Sequence, residues 1–285
     1  MTEKRKFYGM RNDYMFHAVL QKNEEVLRNL LATLLEMDEA DIVSCRIENP
    51  IELGREIKGK ECILDAKIIL NDARIINIEL QVYKQTYWVN RSLLYWSRAY
   101  DRIKSGQEYD RLLPTYHIGI LDFTLFNENP KFMAQYQILD VEDHFLYSDK
   151  LCIKVLDLTQ IEKAKKQPGI DKKLLKWASI FKAETLEELE QLAGKEEVFE
   201  NMVLTLKKLS EDEKIRMQCE AREDYERCLL SEYSAGKREG IEEGIEKGVE
   251  QGIEQGTEIT QKKLLHNLME SQKITEDEAR KMLGI

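Results

Sequence analysis

Two apolar runs joined by a short polar link constrain the fold of this chain more than any other feature. Residues 61–70 (ECILDAKIIL) and 74–83 (RIINIELQVY) are rich in branched apolar side chains, which favour β-strands. The link between them, Asn71-Asp72-Ala73, contains residue types that are frequent in turns. The pattern predicts an antiparallel β-hairpin.

The segments around the hairpin predict an α/β domain. Asn12-Asp13 can cap an opening helical stretch that runs to Leu35 with a break near Asn23. Residues 85–105 predict a helix that ends near Gly106, and its apolar stripe is expected to face the sheet: Val89, Leu93, Trp96, Tyr100 and Ile103. The strand candidates are 115–123, 135–140 and 151–158. We therefore expect a mixed sheet flanked by helices, ending near residue 160.

The rest of the chain predicts an α-helical C-terminal extension. Three regions result: the α/β domain at 1–160, a helical extension at 161–235 and a glycine-repeat tail at 236–285. Glycine recurs at every fourth position from 236 to 256, interleaved with Ile and Val. Because each helical glycine costs about 1 kcal/mol relative to alanine, we expect the tail helix to need a second copy of the chain as a partner. A frayed, flexible tail is the alternative.

Composition excludes several classes of protein. The 42% apolar content indicates a globular chain, and almost all of the net charge of −10 falls after residue 125. The sequence has no bilayer-length apolar window and no signal-peptide pattern, so we expect a soluble, cytoplasmic protein with no membrane partner. The five cysteines lack CxxC spacing and predict free buried thiols, and the four dispersed histidines predict no metal site.

Two carboxylates in the hairpin form a candidate metal site. Side chains alternate along a strand, so Glu79 and Gln81 share one face of the second strand. If paired residue numbers sum to 144, Asp65 lies directly across from Glu79, with Cβ atoms about 4.5–5.5 Å apart. An even sum requires a three- or five-residue loop, whereas a two-residue turn puts the carboxylates on opposite faces. The alternative is that both are ordinary solvent-facing strand residues.

Five ordered blocks carry a resemblance to a known family. They are NDYMFHAVL, ILDAKI, INIELQV, RSLLYWSRAYDRIKSGQEY and YHIGILDF. Together they resemble PD-(D/E)XK nucleases, in particular the Rpn-type recombination-promoting nucleases and putative transposases, over most of residues 8–160. The resemblance implies a restriction-endonuclease-like mixed sheet flanked by helices, and the glycine-repeat tail is also typical of such proteins.

The family motif assigns expected roles to hairpin residues. By resemblance, Asp65, Glu79 and the carbonyl of Leu80 bind Mg²⁺, with Mn²⁺ as a substitute, and Gln81 orients the attacking water. Leu64 replaces the motif's Pro, and Gln81 replaces its Lys and so brings no positive charge. Glu24 or Glu25 of the opening helix is a candidate accessory acid, although helix glutamates are usually just solvated.

The helix after the hairpin offers a candidate DNA-binding surface. Basic and aromatic residues recur on the side that we expect to lie opposite the apolar stripe: Lys84, Trp88, Arg91, Tyr95, Arg98 and Arg102. Basic groups neutralise phosphates and aromatic rings stack on bases. An ordinary solvated helix face is the alternative.

Two functions remain at this stage. The first is a Mg²⁺-dependent DNA endonuclease linked by family context to recombination or mobile elements. The second is a catalytically weak or inactive nuclease-fold protein that acts as an oligomeric interaction module, which Gln81 and the acidic tail favour. The sequence contains no GxGxxG or GxxxxGK[ST] motif that would predict a nucleotide-binding enzyme.

Overall fold

A computed structural model describes residues 6–51, 66–103 and 106–284. The α-helices in these ranges are α1 (Asp13–Lys22), α2 (Glu24–Leu35), α3 (Trp88–Tyr100), α4 (Ile161–Ala164), α5 (Lys172–Lys182), α6 (Leu186–Ala193), α7 (Glu197–Glu211), α8 (Glu213–Gln272) and α9 (Glu276–Leu283). The strands are β1 (Cys45–Ile47), β2 (Ala66–Leu70), β3 (Arg74–Gln81), β4 (Thr115–Leu121), β5 (Met133–Leu139) and β6 (Leu146–Asp157).

The described strands form one mixed sheet, as predicted. Its order is β1-β2-β3-β4-β6-β5. The pairs β1/β2, β2/β3 and β5/β6 are antiparallel, whereas β3, β4 and β6 run parallel to one another. The parallel core places the carboxyl ends of three strands at one edge of the sheet, and α3 lies in the crossover from β3 to β4.

The hairpin has the register that the metal-site hypothesis requires. Pairs run from Leu70 opposite Arg74 to Ala66 opposite Ile78, so the residue numbers sum to 144. Three residues form the loop, and Asn71 and Asp72 have φ values of 51° and 50°. Asn and Asp accept this left-handed region more readily than most residues. The predicted register is therefore confirmed over the described part, while Asp65 lies outside the described residues.

Two asparagine caps define the opening helices. The Asn12 side chain accepts a hydrogen bond from the backbone N–H of Met15, and the Asn23 side chain accepts one from that of Val26, both at 3.1 Å. Asn23 has extended backbone angles, so it ends α1 and begins α2. The predicted break near Asn23 is confirmed.

One face of the sheet packs against helices that precede the strands in the sequence and helices that follow them, and together they form a large apolar core. This apolar face contributes Ile76, Ile78 and Leu80 from β3, and α1, α2, α5 and α7 contribute to the same cluster. Trp177 and Phe181 of α5 are fully buried within it. The first compact unit of the chain is Met1–Glu223, so residue 160, the predicted end of the α/β domain, does not separate two compact units.

The opposite face is covered by α3, but not by the side of the helix that the sequence predicted. Trp88, Ser92 and Ala99 are the buried residues of this helix, whereas Val89 and Leu93 are 37% and 46% exposed. The small side chains of Ser92 and Ala99 allow close approach to the strands, which the bulkier apolar stripe does not. The prediction that the apolar stripe faces the sheet is wrong for Val89 and Leu93.

The second compact unit is Asp224–Ile285. It consists of most of α8 followed by α9, whose N-terminus is closed by reciprocal hydrogen bonds between Thr275 and Glu278. The interleaved Ile241, Ile245, Val249 and Ile253 are 52–66% exposed, and a Cβ built on any glycine from Gly236 to Gly256 meets no atom within 4 Å. Across the described parts of the chain, no helix is both long enough and apolar enough to cross a membrane.

Candidate active site

Glu79 lies near the carboxyl end of β3, in the middle of the sheet. Its side chain is on the face that α3 covers, together with Asn77, because alternate residues share a face. Parallel pairing places His117 of β4 beside Asn77 and Gly119 beside Glu79. The side chains of Glu79 and His117 are both fully buried. This polar face therefore buries a carboxylate where the other face of the same strand buries isoleucines.

Two basic side chains approach the carboxylate of Glu79. Nη2 of Arg91, on α3, lies 2.9 Å from Oε1, and Nε2 of His117 lies 3.5 Å from Oε2. Despite these distances, neither Glu79 oxygen receives an aligned hydrogen bond within the described ranges. The contacts are therefore mainly electrostatic. A buried carboxylate without hydrogen bonds is costly, so the site depends on a neighbouring positive charge.

A hydrogen bond from Asn77 fixes the orientation of His117. The Nδ2 atom of Asn77 lies 3.1 Å from Nδ1 of the imidazole. An amide nitrogen only donates, so Nδ1 is the acceptor and the ring proton of a neutral His117 resides on Nε2. That nitrogen is the one nearest Glu79, but it makes no aligned hydrogen bond to a described residue.

Close packing of Trp88 against β4 sets the position of α3. A Cβ at Gly119 would lie 2.3 Å from the indole ring, so only glycine fits beneath it. Trp88 and Tyr95 flank the imidazole of His117, with ring centroids 5.8 and 6.4 Å away. Arg91 lies between them in the sequence, with its Cζ 4.9 Å from the centre of the Tyr95 ring. The packing thus aims the guanidinium at Glu79.

A chain of amide contacts links Gln81 to the same arginine. Nε2 of Gln85 donates to Oε1 of Gln81 at 2.7 Å, and Nη1 of Arg91 donates to Oε1 of Gln85 at 3.2 Å. Glu79 and Gln81 are therefore connected through residues of the β3–α3 connection and α3 itself. The Gln81 oxygen thus accepts one hydrogen bond and keeps a second lone pair, and its NH₂ group can donate to a ligand.

The residues around Glu79 fit a divalent cation in one respect. Its two oxygens are fully buried and lack hydrogen bonds, which is the state of a hard-oxygen ligand whose partner is a cation. Over 6–51, 66–103 and 106–284, no three His, Cys, Asp or Glu side chains cluster as a metal site. Glu79 is thus a single described ligand, and Asp65, the predicted second ligand, lies outside those ranges.

The candidate accessory acids lie on the side of the sheet away from Glu79, whereas Leu80 directly follows Glu79. The Leu80 side chain is in the apolar core, and its predicted role belongs to the backbone carbonyl. Glu24 and Glu25 are on α2, which packs with the apolar face. Glu24 pairs with Arg28 at 3.0 Å, and Glu25 accepts a hydrogen bond from Asn201 at 3.0 Å. The structure therefore does not bring Glu24 or Glu25 to Glu79.

The predicted DNA-binding residues do not form one exposed row. Lys84 and Arg98 are exposed. Arg91 and Tyr95 face the sheet instead, which corrects the side of the helix that we expected. Nη1 of Arg102 donates to Glu48 at 2.9 Å, and these hydrogen bonds hold the pKa of Glu48 below its ordinary value. Only part of the predicted surface is thus available to a ligand in this arrangement.

Sequence reasoning missed His117 and the pair formed by Trp88 and Gly119. The signal for His117 was its parity in β4, where Thr115, His117 and Gly119 alternate with larger apolar residues. A lone histidine in an apolar run seemed unremarkable because its neighbour Asn77 is distant in sequence. The prediction of free buried thiols is confirmed for Cys45, Cys152 and Cys219, whereas Cys228 is exposed and Cys62 lies outside the described residues.

Comparison with known proteins identifies the family of the chain. The chain matches a family model described as PD-(D/E)XK nuclease family transposase over residues 10–232. No curated protein and no solved structure shows a significant match. The matched range covers the sheet, α3 and the helices that share the apolar core, and includes the hairpin that carries Glu79 and Gln81. The chain therefore belongs to the PD-(D/E)XK nuclease family transposases.

Proposed function

We propose that this protein is a divalent-metal-dependent DNA endonuclease, with Mg²⁺ as the metal and Mn²⁺ as a substitute. The observation that carries the proposal is the fully buried Glu79 carboxylate, which has no hydrogen bond in the described residues and has a guanidinium at 2.9 Å. Burial of a carboxylate without hydrogen bonds is costly, and a bound cation offsets that cost, so this position suits a metal ligand.

The proposed metal ligands are Asp65, Glu79 and the carbonyl of Leu80. The register sum of 144 measured over the described hairpin supports Asp65, since it is the pairing that the hypothesis needed. When bound, a divalent cation supplies positive charge to the scissile phosphate and makes an attacking water more acidic. That charge is what Gln81, standing at the motif's Lys position, does not provide.

The protein's own residues position the reactants. His117 lies beside the Glu79 carboxylate, with Nε2 3.5 Å from Oε2, and a hydrogen bond with Asn77 orients its ring. The amide of Gln81 can donate to a phosphate oxygen or to the attacking water, while its oxygen accepts a hydrogen bond from Gln85. Exposed Lys84 and Arg98 supply charge for the DNA backbone.

The tail is proposed to join two copies of the chain. Ile241, Ile245, Val249 and Ile253 are exposed, and a Cβ built on any glycine from Gly236 to Gly256 meets no atom within 4 Å, so this stretch of the helix presents apolar side chains beside small residues. An isolated helix with six glycines is costly, and a second helix offsets that cost by close backbone approach and apolar contact. A dimer would present two nuclease domains and so allow both DNA strands to be cut.

Nicking of supercoiled plasmid DNA tests the nuclease proposal. Full-length protein should convert supercoiled to open-circular DNA with Mg²⁺ or Mn²⁺ and not with EDTA. Asp65→Ala and Glu79→Ala should each abolish this conversion. Asp72→Asn is the control. It removes an exposed carboxylate from the same hairpin, and Asn is accepted at the positive φ of this position, so plasmid nicking should be unchanged.

Two results would reject the proposal. Cleavage that survives both Asp65→Ala and Glu79→Ala would assign it to another site or to a contaminant. A folded wild-type protein that cleaves nothing with either metal would favour the second function, an inactive nuclease-fold interaction module. Gln81→Lys should retain or increase cleavage, because it restores the charge of the family motif.

Light scattering tests the tail. The full chain is expected to run as a dimer or larger species at micromolar concentration, and a chain ending at Tyr233 as a monomer. If both run as monomers, the tail is not an oligomerisation element.

A further inference from the structure

The cation beside Glu79 comes from a helix rather than from the strand that carries the family motif. Position 81, where the motif has Lys, holds the neutral Gln81. Lys67, on the neighbouring strand, is paired with Glu48 at 3.3 Å. Among the described residues, the permanently charged group that reaches Glu79 is Arg91. The site therefore has a cation, in a place that the motif does not specify.

We propose that Arg91 is an exchangeable counter-ion: it neutralises Glu79 while no metal is bound and transfers to a nucleic-acid phosphate when a divalent cation occupies the carboxylate. The inference rests on the proposed function, and it adds a role for a residue outside the motif. Its ligand class is a phosphodiester, which the planar guanidinium can bind through two parallel hydrogen bonds.

The contacts of Glu79 favour such an exchange. Arg91 already lies 2.9 Å from Oε1. A divalent cation bound to the same carboxylate would lie close to the guanidinium, and two positive charges a few ångströms apart repel each other in a buried site. Metal binding and the Arg91 contact therefore compete, and the cation weakens the hold of Glu79 on Arg91.

Two further described contacts of Arg91 are compatible with its movement. Its hydrogen bond to Gln85 is long, at 3.2 Å, and its contact with Tyr95 is with the ring face, along which a guanidinium can slide. The side chain is 20% exposed, whereas Glu79 is 0% exposed. The arginine thus reaches from the buried carboxylate toward solvent, where a DNA strand would lie.

Metal affinity measured without DNA distinguishes an exchangeable Arg91–Glu79 ion pair from a permanent one. Mn²⁺ binding to the full chain would be measured by electron paramagnetic resonance for wild type, Arg91→Gln, Glu79→Gln and the control Arg46→Gln. Arg46 is an exposed arginine paired with Asp72 on the outer strand. Arg91→Gln should bind Mn²⁺ about tenfold more tightly, because a competing cation is gone. Glu79→Gln should lose binding, and the control should match wild type.

At saturating Mn²⁺, Arg91→Gln should impair DNA cleavage even though it improves metal binding. Arg91→Gln should nick DNA about 100-fold more slowly than wild type, since a phosphate ligand is lost. Arg91→Lys should recover part of the rate because it keeps the charge. A residue with a structural role alone would not tighten metal binding while slowing cleavage. Unchanged or weaker Mn²⁺ affinity in Arg91→Gln, or unchanged cleavage, overturns the proposal.

Wild-type protein provides a test in which Glu79 keeps its Arg91 partner. The ¹⁵N-arginine signal of Arg91, assigned by its absence from Arg91→Lys, should shift on titration with Mg²⁺ without DNA. No shift at saturating Mg²⁺ overturns the exchange. If wild type binds metal at Glu79 but cleaves nothing, the nuclease proposal fails. The ¹⁵N signal of Arg91 then still shows whether metal displaces Arg91 from Glu79. If the chain binds no metal, both fail.

Discussion

The central strand β3 contributes alternate residues to two faces that bury opposite chemistry. On the apolar face, Ile76 and Ile78 pack in one cluster with α1 and α2. On the polar face, Asn77 and Glu79 lie under α3 and are just as inaccessible to water. Apolar burial explains the stability of the first face, whereas the polar face has to offset the desolvation of a carboxylate. The two faces of one strand are therefore stabilised in different ways, and only the polar face depends on charges supplied by α3 and β4.

The largest expected effect lies on the apolar face. Ile78→Ala removes a fully buried side chain from the middle of the sheet, and the resulting cavity should lower the free energy of unfolding by about 3–4 kcal/mol. Urea denaturation at neutral pH measures it. Glu79→Gln, one position along, should cost less because it keeps the side-chain volume and leaves no cavity, although it removes the counter-charge of Arg91. Equal losses for the two variants would break the distinction between the faces.

The apolar core contains an exception that sharpens the comparison. His17 of α1 is fully buried, and both of its ring nitrogens lack hydrogen bonds within the described residues. Burial lowers the pKa of His17 from 6.5 to about 4. The folded state therefore binds fewer protons than the unfolded state between these values, so the contribution of His17 to stability is complete above pH 6.5 and is lost as the pH falls toward 4.

The expected loss over that range is about 3 kcal/mol, from a shift of this size. Denaturation curves at pH 7, 5.5 and 4.5 would measure it. His17→Leu should remove most of this pH dependence and raise stability at pH 7, because an unpaired polar group is replaced by an apolar one. His266→Gln, at an exposed position, should not change the slope. The account of His17 fails if His17→Leu keeps the wild-type pH dependence.

The smallest expected effects compare glycines in the two compact units. Gly119→Ala should destabilise by about 1–3 kcal/mol, since its Cβ would overlap Trp88. Gly248→Ala, at an open helical position in the tail, should stabilise the helix by about 1 kcal/mol. Thermal denaturation followed by circular dichroism distinguishes the signs. A Gly119→Ala variant that is not destabilised would mean that the close approach of α3 to β4 is misassigned, whereas a destabilising Gly248→Ala would indicate that this glycine packs against a partner.

The polar face was also the part that sequence predicted least well. The hairpin, its three-residue loop and its register follow from local patterns, as do the caps at Asn12 and Asn23. The orientation of α3 does not. Its apolar periodicity suggested that Val89 and Leu93 are buried, but the sheet selects the side with Ser92 and Ala99, because small residues permit the approach that Trp88 makes over Gly119.

The partners of Glu79 depended on tertiary structure in the same way. His117 and Arg91 reach the carboxylate only because β4 pairs in parallel with β3 and because the crossover helix packs back on both strands. Neither relation is a sequence spacing. The motif residues Glu79 and Gln81 could be found from the sequence, whereas the groups that balance their charge and orient them could not.

The most direct test of the account is a crystal structure of the full chain grown with Mn²⁺, using the anomalous signal of the metal. The account predicts a Mn²⁺ peak about 2.1–2.2 Å from an oxygen of Glu79, with the guanidinium of Arg91 moved away from that oxygen. An Arg91–Glu79 pair that persists at saturating Mn²⁺, with no metal peak at Glu79, would contradict it.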